Sequence, residues 1–226
     1  MDSERANTVN WRGAVRRTYD VVFSAAGLIV ASPLMVAAAV AVAVEDGFPV
    51  FFRQQRVGRN GRPFVMLKFR SMRTAQTGTA ITAGGDSRIT RSGRFLRKYK
   101  LDELPQLWNV LRGDMSLIGP RPEVPKFVDM SDPLWRTVLS VRPGITDLAS
   151  LSYRHEEGML AGAADPEAHY RRSILPSKLR IAAEGVKRQS LANDIRILVY
   201  TVLCSFFPSR FDEAQITKTL ASRSTT

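Results

Sequence analysis

Two adjacent acidic residues, Asp102 and Glu103, open a segment with the apolar spacing of a short helix. Gly113 follows the last apolar position and is a residue type that commonly ends a helix. Pro105 falls in the first turn, where the N–H that proline lacks has no helical partner to lose. The spacing therefore predicts Asp102 near a helix N-terminus, where the macrodipole favours an ionised carboxylate and a nearby phosphate.

The acidic pair has two interpretations. A lone Asp before a helix is most often only an N-cap, whose side chain accepts hydrogen bonds from the first turn. An Asp such as Asp102 can also attack a phosphorus atom and form an acyl phosphate, which divides a phosphoryl transfer into two steps. Such a transfer needs cations on the phosphoryl oxygens, usually including Mg²⁺, a hard ion that prefers carboxylate and phosphate ligands.

The positive charge of the chain is concentrated in one region. Residues 51–100 contain 13 Lys and Arg and one acid, Asp86, so their excess of 13 − 1 = 12 equals the net charge of +12. Such a region favours a polyanionic partner: a nucleotide diphosphate, a lipid phosphate, an anionic bilayer surface or nucleic acid. The alternative is a basic surface that is simply exposed to solvent and binds no partner. The apolar residues between the charges argue against this alternative.

An uncharged run of 24 residues, 21–44, precedes the basic region. As one helix it is about 36 Å long, enough to cross a bilayer core of about 30 Å. A signal peptide is disfavoured because the run is longer than a normal h-region. Pro33 bends a helix at mid-run, and the hydroxyl of Ser32 can satisfy the carbonyl that the proline frees.

Arginines lie on both sides of this run, so the positive-inside rule does not orient a straight span, whereas a re-entrant hairpin keeps both flanks on one side. A kinked span and a re-entrant helix both stay open on these residues. The flanking arginines are Arg5, Arg12, Arg16, Arg17, Arg53, Arg56, Arg59 and Arg62.

The remaining pattern predicts an α+β fold that is mainly helical. Segments 48–57 and 63–69 predict a β-hairpin through the Asn60-Gly61 turn. Residues 74–93 predict a loop that serves as a linker or as a substrate lid. Apolar faces over 123–141, with Trp135, and over 191–207 predict amphipathic helices that pack in the core or lie at a membrane interface. The polar end, 211–226, predicts a loosely ordered tail.

The cysteine and histidine content excludes other kinds of site. Cys204 is the single cysteine, which excludes an internal disulfide and fits a reducing compartment, and its apolar neighbours predict a packed thiol. His155 and His169 lack metal-ligand spacing. The sequence has no Walker loop and no GxGxxG motif.

Five motifs occur in one order along the chain: Ser32-Pro33, KFRSMR at 68–73, the Asp-Glu segment, GPRP at 119–122 and RPGIT at 142–146. Together they resemble the bacterial sugar transferases, the monotopic phosphoglycosyl transferases that start glycans on a polyprenyl phosphate. Many relatives have glycine where this chain has Asp147, so the resemblance does not predict which substrate contacts that loop makes.

The resemblance implies an enzyme with Asp102 as its nucleophile. In the family this residue attacks the sugar-bearing phosphate of a UDP-sugar, releases UMP and holds the phosphosugar. A polyprenyl phosphate, undecaprenyl phosphate in bacteria, then accepts it in the first membrane step of glycoconjugate synthesis. Glu103 is implied as the partner carboxylate, which assists the placement of Mg²⁺ or accepts a proton, and both acids are expected to hold Mg²⁺.

Four cations are expected to contact the phosphates and the nucleotide. Lys68 and Arg70 alternate along the second strand and so share one face. Arg97 lies just upstream of the nucleophile, and Arg121 is fixed between two prolines. For each arginine taken singly, a surface ion pair is the alternative role.

The resemblance also implies the architecture: a re-entrant membrane helix broken at Ser32-Pro33 within 1–47, a catalytic domain over 48–208 and a flexible tail over 209–226. We expect a monotopic protein on the cytoplasmic face of the inner membrane, in contact with anionic lipids and not with nucleic acid. Two alternatives are a membrane-anchored basic adaptor that binds nucleic acid or anionic lipid without chemistry, and a phospholipid-modifying phosphotransferase. The sugar, the pathway and the oligomeric state cannot be read from the sequence.

Overall fold

The computed structural model describes residues 2–73 and 85–207, with side chains described from Gly13 onward. The described chain is a mainly helical α+β fold, as predicted. A long N-terminal helix packs along a domain of short helices and two small sheets. The tail over 211–226 lies outside the described residues, as do the side chains of Arg5 and Arg12.

The first element, α1, is a continuous helix, Asp2–Asp46. Within the described chain it is the one helix long and apolar enough to cross a membrane. Pro33 leaves the carbonyl of Ile29 without its usual donor, and Ser32 Oγ donates to that carbonyl at 2.7 Å. The expected hydroxyl contact is confirmed, but the helix continues through Pro33, so this site is not a gap between two helices. Re-entry into one leaflet stays a prediction.

One face of α1 packs on the domain near both of its ends. Toward the N-terminus, Arg17 donates to the carbonyls of Val110 and Leu111 at 2.6 and 2.7 Å. Toward the C-terminus, Val42 is buried in a cluster with Leu101. The opposite face is an extended apolar surface, of the kind that marks a membrane or protein contact. It exposes Val22, Phe23, Ile29, Val30, Val36, Val40 and Val44.

The predicted hairpin is confirmed as β1, Phe51–Val57, paired antiparallel with β2, Pro63–Phe69. Asn60 and Gly61 have φ of 57° and 75°, the left-handed conformations for which an Asn-Gly turn is favoured. The first strand begins at Phe51 rather than at residue 48, since Pro49 has no N–H to donate to the ladder.

The second helix, α2, is Arg91–Lys98. Thr90 caps it, because the Thr90 hydroxyl accepts from the N–H of Gly93 at 2.9 Å. The predicted loop over 74–93 is therefore wrong in its last residues, and its portion over 74–84 lies outside the described residues.

After α2 the chain forms a 3-10 turn, Leu101–Glu103, and then α3, Gln106–Arg112. Gly113 has a φ of 93° and ends α3, as predicted. The helix is shorter than the apolar spacing indicated, because the residues before Gln106 are taken up by the 3-10 turn.

A short parallel pair connects two of the sequence motifs. The strand β3, Ser116–Ile118, lies beside β4, Gly144–Thr146. The backbone just after β3 lies against the start of β4, so closely that a Cβ on Gly144 would be 2.1 Å from the nitrogen of Gly119. Only glycine fits there, and the contact fixes GPRP against RPGIT.

The rest of the described chain is helical. The predicted helix over 123–141 is wrong as one element: a 3-10 turn, Pro125–Phe127, precedes a short helix, α4, Pro133–Val138. Asp132 caps α4 and Pro133 starts it. Of the two positions that the sequence left open for this segment, core and interface, Trp135 occupies the core.

Five further helices complete the domain. The predicted helix over 191–207 is confirmed as the last of them, and Cys204 on this helix is buried, as its apolar neighbours predicted. The helices are α5, Leu148–Ser152, α6, Glu156–Leu160, α7, Pro166–His169, α8, Leu175–Lys187, and α9, Leu191–Phe206. A π-helical turn, Tyr170–Ile174, joins α7 to α8.

Candidate active site

Asp102 and Glu103 lie in the 3-10 turn between α2 and α3. Lys100, just before the turn, has a left-handed φ of 57°, which redirects the chain. Both acids are buried, with 5% and 8% of their surface exposed. Asp102 precedes α3, which begins only at Gln106, and burial has the largest effect on its pKa. The predicted influence of a helix dipole on Asp102 stays a prediction.

Glu103 is held by two cations from separate elements. Lys68 on β2 donates to Oε1 at 3.1 Å, while Arg121 donates from Nη1 to Oε2 at 3.0 Å and from Nη2 to Oε1. Burial alone would raise the pKa of Glu103, but Arg121 and Lys68 outweigh it and hold that pKa well below its ordinary value. Glu103 is therefore an ionised anchor that fixes both cations.

Asp102 makes no such ion pair. Its Oδ1 is buried and has no hydrogen-bond partner within the described residues. Burial raises the pKa of Asp102; Lys68 opposes that effect, and the neighbouring Glu103 carboxylate adds to it. Asp147 also has a buried oxygen without a hydrogen-bond partner, so this property alone does not identify a nucleophile. Asp102 differs because it adjoins Glu103 and the cations that Glu103 holds, which suits a nucleophile or a ligand-binding group.

The surroundings shift the pKa values of Lys68 and Arg121 in opposite directions. Burial lowers the pKa of Lys68, against the attraction of Glu103, and the charge of Arg121 lowers it further. Glu103 raises the pKa of Arg121, which therefore stays charged. Both cations lie beside Asp102, so the cluster can neutralise an anionic group at that carboxylate.

The other two predicted cations bond elsewhere. The buried Arg70 pairs with the carboxylate of Asp46 at 3.1 Å and donates to the carbonyl of Gly47 at 2.6 Å, which ties β2 to the end of α1. Arg97 pairs with Glu157 of α6. A substrate contact by Arg70 or Arg97 stays a prediction.

Two acidic residues near the cluster were missed from the sequence. Glu156 pairs with Lys178 at 2.6 Å, and Glu157 pairs with Arg97. Acids in the first turn of a helix are ordinary, so nothing in the sequence linked them to cations in α2 and α8.

A cavity of about 380 Å³ adjoins the cluster. Its polar lining includes Glu103, Arg121, Glu156 and Lys178, and its apolar lining includes side chains of α3 and α9. Two further cavities, of about 500 and 620 Å³, lie away from the acidic pair, so the carboxylates and cations identify the site, not the volume.

The residues fit a magnesium ion in part. No group of three or more His, Cys, Asp or Glu within the described chain is placed to hold a metal. Mg²⁺ commonly takes only one or two carboxylates and completes its shell with substrate phosphates and water. The unpartnered Oδ1 of Asp102 suits this, whereas both oxygens of Glu103 are taken by Lys68 and Arg121.

Asp147, the departure from the family pattern, has a structural role. It caps α5, accepting from the N–H of Ser150 at 2.7 Å. Burial raises the pKa of Asp147, against the hydrogen bonds from Ser150. Its side chain lines a cavity other than the one beside Glu103.

The site lies within a recognised family match: the model of the bacterial sugar transferases matches residues 11–208. The chain belongs to this family. Asp102, Glu103, Lys68 and Arg121 all fall inside the matched residues of this sugar transferase, as do α1 and α9 for nearly all of their length.

Several curated relatives are similar to this sugar transferase. A "UDP-N-acetylgalactosamine-undecaprenyl-phosphate N-acetylgalactosaminephosphotransferase" from Aeromonas hydrophila is 45% identical over 142 residues, 61% of this chain and 34% of its own. A "UDP-glucose:undecaprenyl-phosphate glucose-1-phosphate transferase" from Caulobacter vibrioides is 36% identical over 192 residues, 83% of this chain and 68% of its own. An "Undecaprenyl-phosphate galactose phosphotransferase" from Salmonella typhimurium is 41% identical over 163 residues, 63% of this chain and 33% of its own.

This sugar transferase therefore spans about a third of two of these relatives and about two thirds of the third. The three names share undecaprenyl phosphate and differ in the sugar.

Proposed function

We propose that this sugar transferase moves a sugar 1-phosphate from a UDP-sugar to a polyprenyl phosphate, undecaprenyl phosphate by the names of its relatives. The observation that carries the proposal is the buried, unpartnered carboxylate of Asp102 beside a Lys68–Glu103–Arg121 cluster. Since the relatives name three different sugars, the proposal covers UDP-sugars as a class.

In the first step a carboxylate oxygen of Asp102 attacks the sugar-bearing phosphorus of the UDP-sugar. The bond from that phosphorus to the bridging oxygen breaks, and the oxygen leaves with UMP. The product is an acyl phosphate in which the sugar phosphate is held on Asp102.

In the second step an oxygen of the lipid phosphate attacks the same phosphorus. The bond between Asp102 and phosphorus breaks, which restores the carboxylate and gives polyprenyl diphosphate-sugar. Because both steps exchange one phosphorus–oxygen bond for another, no oxidant or reductant is needed.

The other residues of the site act through charge and position. Arg121 and Lys68 neutralise the transferring phosphoryl group, which is the main requirement of this chemistry. Glu103 keeps both cations in place and remains ionised itself. Arg70 and Arg97 are further phosphate contacts in the proposal. To reach the substrate, Arg70 must leave Asp46 and Arg97 must leave Glu157.

Magnesium is part of the proposal. Asp102, through its unpartnered oxygen, would hold the ion together with the diphosphate of the donor, and Glu103 would join it only by releasing a cation. When bound, Mg²⁺ would neutralise charge on the diphosphate and so favour the departure of UMP.

We place the site at the cytoplasmic face of the inner membrane, in contact with anionic lipids. Support comes from α1, which packs on one domain at Arg17 and again at Val42, while its opposite face is apolar and exposed. A monotopic helix that enters and leaves by the same leaflet keeps the domain at headgroup depth. There the soluble UDP-sugar and the lipid phosphate both reach Asp102.

Release of UMP from a panel of UDP-glucose, UDP-galactose and UDP-N-acetylgalactosamine, with Mg²⁺ and undecaprenyl phosphate, tests the function. We expect Asp102→Asn to lower turnover by about a thousandfold or more, since the amide is not a nucleophile. Asp147→Asn is the matched control, because it changes another buried Asp and Asn also caps helices. An Asp102→Asn enzyme with the turnover of this control would refute the assignment.

A further inference from the structure

We infer that the cavity between α3 and α9 binds the first isoprenoid units of the acceptor lipid, with Val202 and Phe206 at its mouth. This inference rests on the proposed function, because it concerns the second substrate of the same site.

The cavity is lined by both charged and apolar side chains. Arg121, Lys178 and Glu103 line it, and so do Leu107 of α3 and Leu198 and Val202 of α9. Leu107 and Leu198 pack against the same apolar cluster. A UDP-sugar is polar throughout and has no group that an apolar wall would bind. An isoprenoid phosphate has an anion for the cations and a hydrocarbon chain for the apolar side chains.

The apolar wall continues onto exposed apolar surface. Val202 and Phe206 line the cavity with 48% and 59% of their surface exposed. On the other side, Leu107 lies against α1, where a Cβ on Gly27 would be 3.2 Å from its Cδ1. Leu107 therefore joins the groove to the apolar helix α1, and Val202 and Phe206 join it to exposed apolar surface of α9.

The groove is pre-formed by contacts that hold α9 in place. Thr201 of α9 is hydrogen-bonded to Thr146 of β4 at 2.9 Å. Arg154 donates to the carbonyl of Cys204 at 2.7 Å. A wall fixed in this way binds its ligand without first paying the entropy of ordering a helix.

A pair of exposed valines on α9 allows a matched test. Val202 lines the cavity and Val199 does not, although Val199 has a similar exposure of 49%. Val202→Asp should raise the KM for undecaprenyl phosphate by about tenfold or more, as expected for a charge placed against bound hydrocarbon. Val199→Asp should change it by less than about threefold, since any general effect of an acid on α9 is common to both variants.

Acceptor-independent exchange of labelled UMP into the UDP-sugar separates this inference from the proposed function, since it needs only the first step. Both variants should exchange at the wild-type rate. Equal KM values for the two variants would overturn the groove, whereas a wild-type protein without exchange would overturn the function itself. If Val202→Asp loses exchange through misfolding, Phe206→Ser against Phe207→Ser gives the same comparison, and equal KM values there would again overturn the groove.

Discussion

Two carboxylates that are neighbours in the chain occupy opposite electrostatic states in this fold. Glu103 is paired on both oxygens and has a depressed pKa, while Asp102 has an unpartnered oxygen and a raised pKa. The difference arises from direction alone, because successive side chains of a tight turn point to different partners. One acid therefore orders the cations, and the other keeps its lone pairs for phosphorus.

The raised pKa of Asp102 leads to a pH prediction. Asp102 attacks only when ionised, so kcat/KM for UMP exchange should rise with pH and fall below that raised pKa. Since Lys68 lowers this pKa, Lys68→Met should move the acid limb to higher pH. Glu103, whose pKa is depressed, stays ionised across the same range.

The measurement is a pH profile of exchange for both enzymes, with Lys126→Met as a control, because Lys126 forms a partly exposed pair with Glu167. A limb at the ordinary Asp pKa of about 3.9, or one that Lys68→Met leaves in place, would contradict the assignment.

At the residue level, membership of a motif did not decide the ion pair of each cation. All four cations were predicted to contact the phosphates and the nucleotide, and of these Lys68 and Arg121 pair with Glu103. Arg70 belongs to the same motif as Lys68 but pairs with Asp46, and Arg97 pairs with Glu157. A sequence gives the type of a cation and its face on a strand, but its partner depends on which distant segment packs there.

Among the elements, the parallel pair β3–β4 most directly fixes the site, because Arg121 follows one strand and the RPGIT motif forms the other. Gly144→Ala should destabilise the protein by about 3 kcal/mol or more, since its Cβ would lie 2.1 Å from the nitrogen of Gly119. The matched control is Gly185→Ala in α8, where a Cβ meets nothing within 4 Å. This substitution should stabilise the protein by about 0.5–1 kcal/mol, because alanine favours a helix more than glycine does.

Denaturant unfolding of both variants in detergent measures this difference. Equal midpoints for Gly144→Ala and the wild type would show that the close approach of the two backbones is not required for the fold.

The elements that could be predicted are those with local signals. Asn60-Gly61 specified the hairpin, and Gly113 specified the end of α3. The position of Trp135 in the core or at an interface stayed open, because the apolar pattern over 123–141 is the same for a buried and an interfacial face. Its burial depends on packing against the distant α8, which no local pattern contains.

For the whole molecule, the arrangement of α1 decides which side of the membrane each segment occupies. A cysteine introduced at Asn7, in a Cys204→Ala background, should react with an impermeant thiol reagent only after lysis. A helix that enters and leaves by one leaflet keeps this end in the cytoplasm with the domain, whereas a straight span places it outside.

A cysteine placed at Ala163, after α6 in the domain, serves as the cytoplasmic control. Labelling at position 7 but not at 163, in intact cells with a permeabilised outer membrane, would contradict the monotopic arrangement.

The central claim is that Asp102 becomes covalently attached to a sugar phosphate. Mass spectrometry of protein quenched during turnover with an accepted UDP-sugar, and without acceptor lipid, tests it most directly. We predict an added mass of one sugar phosphate on the peptide that contains Asp102, absent from Asp102→Asn and removed by undecaprenyl phosphate. Turnover with no such adduct, or an adduct on another residue, would contradict the account.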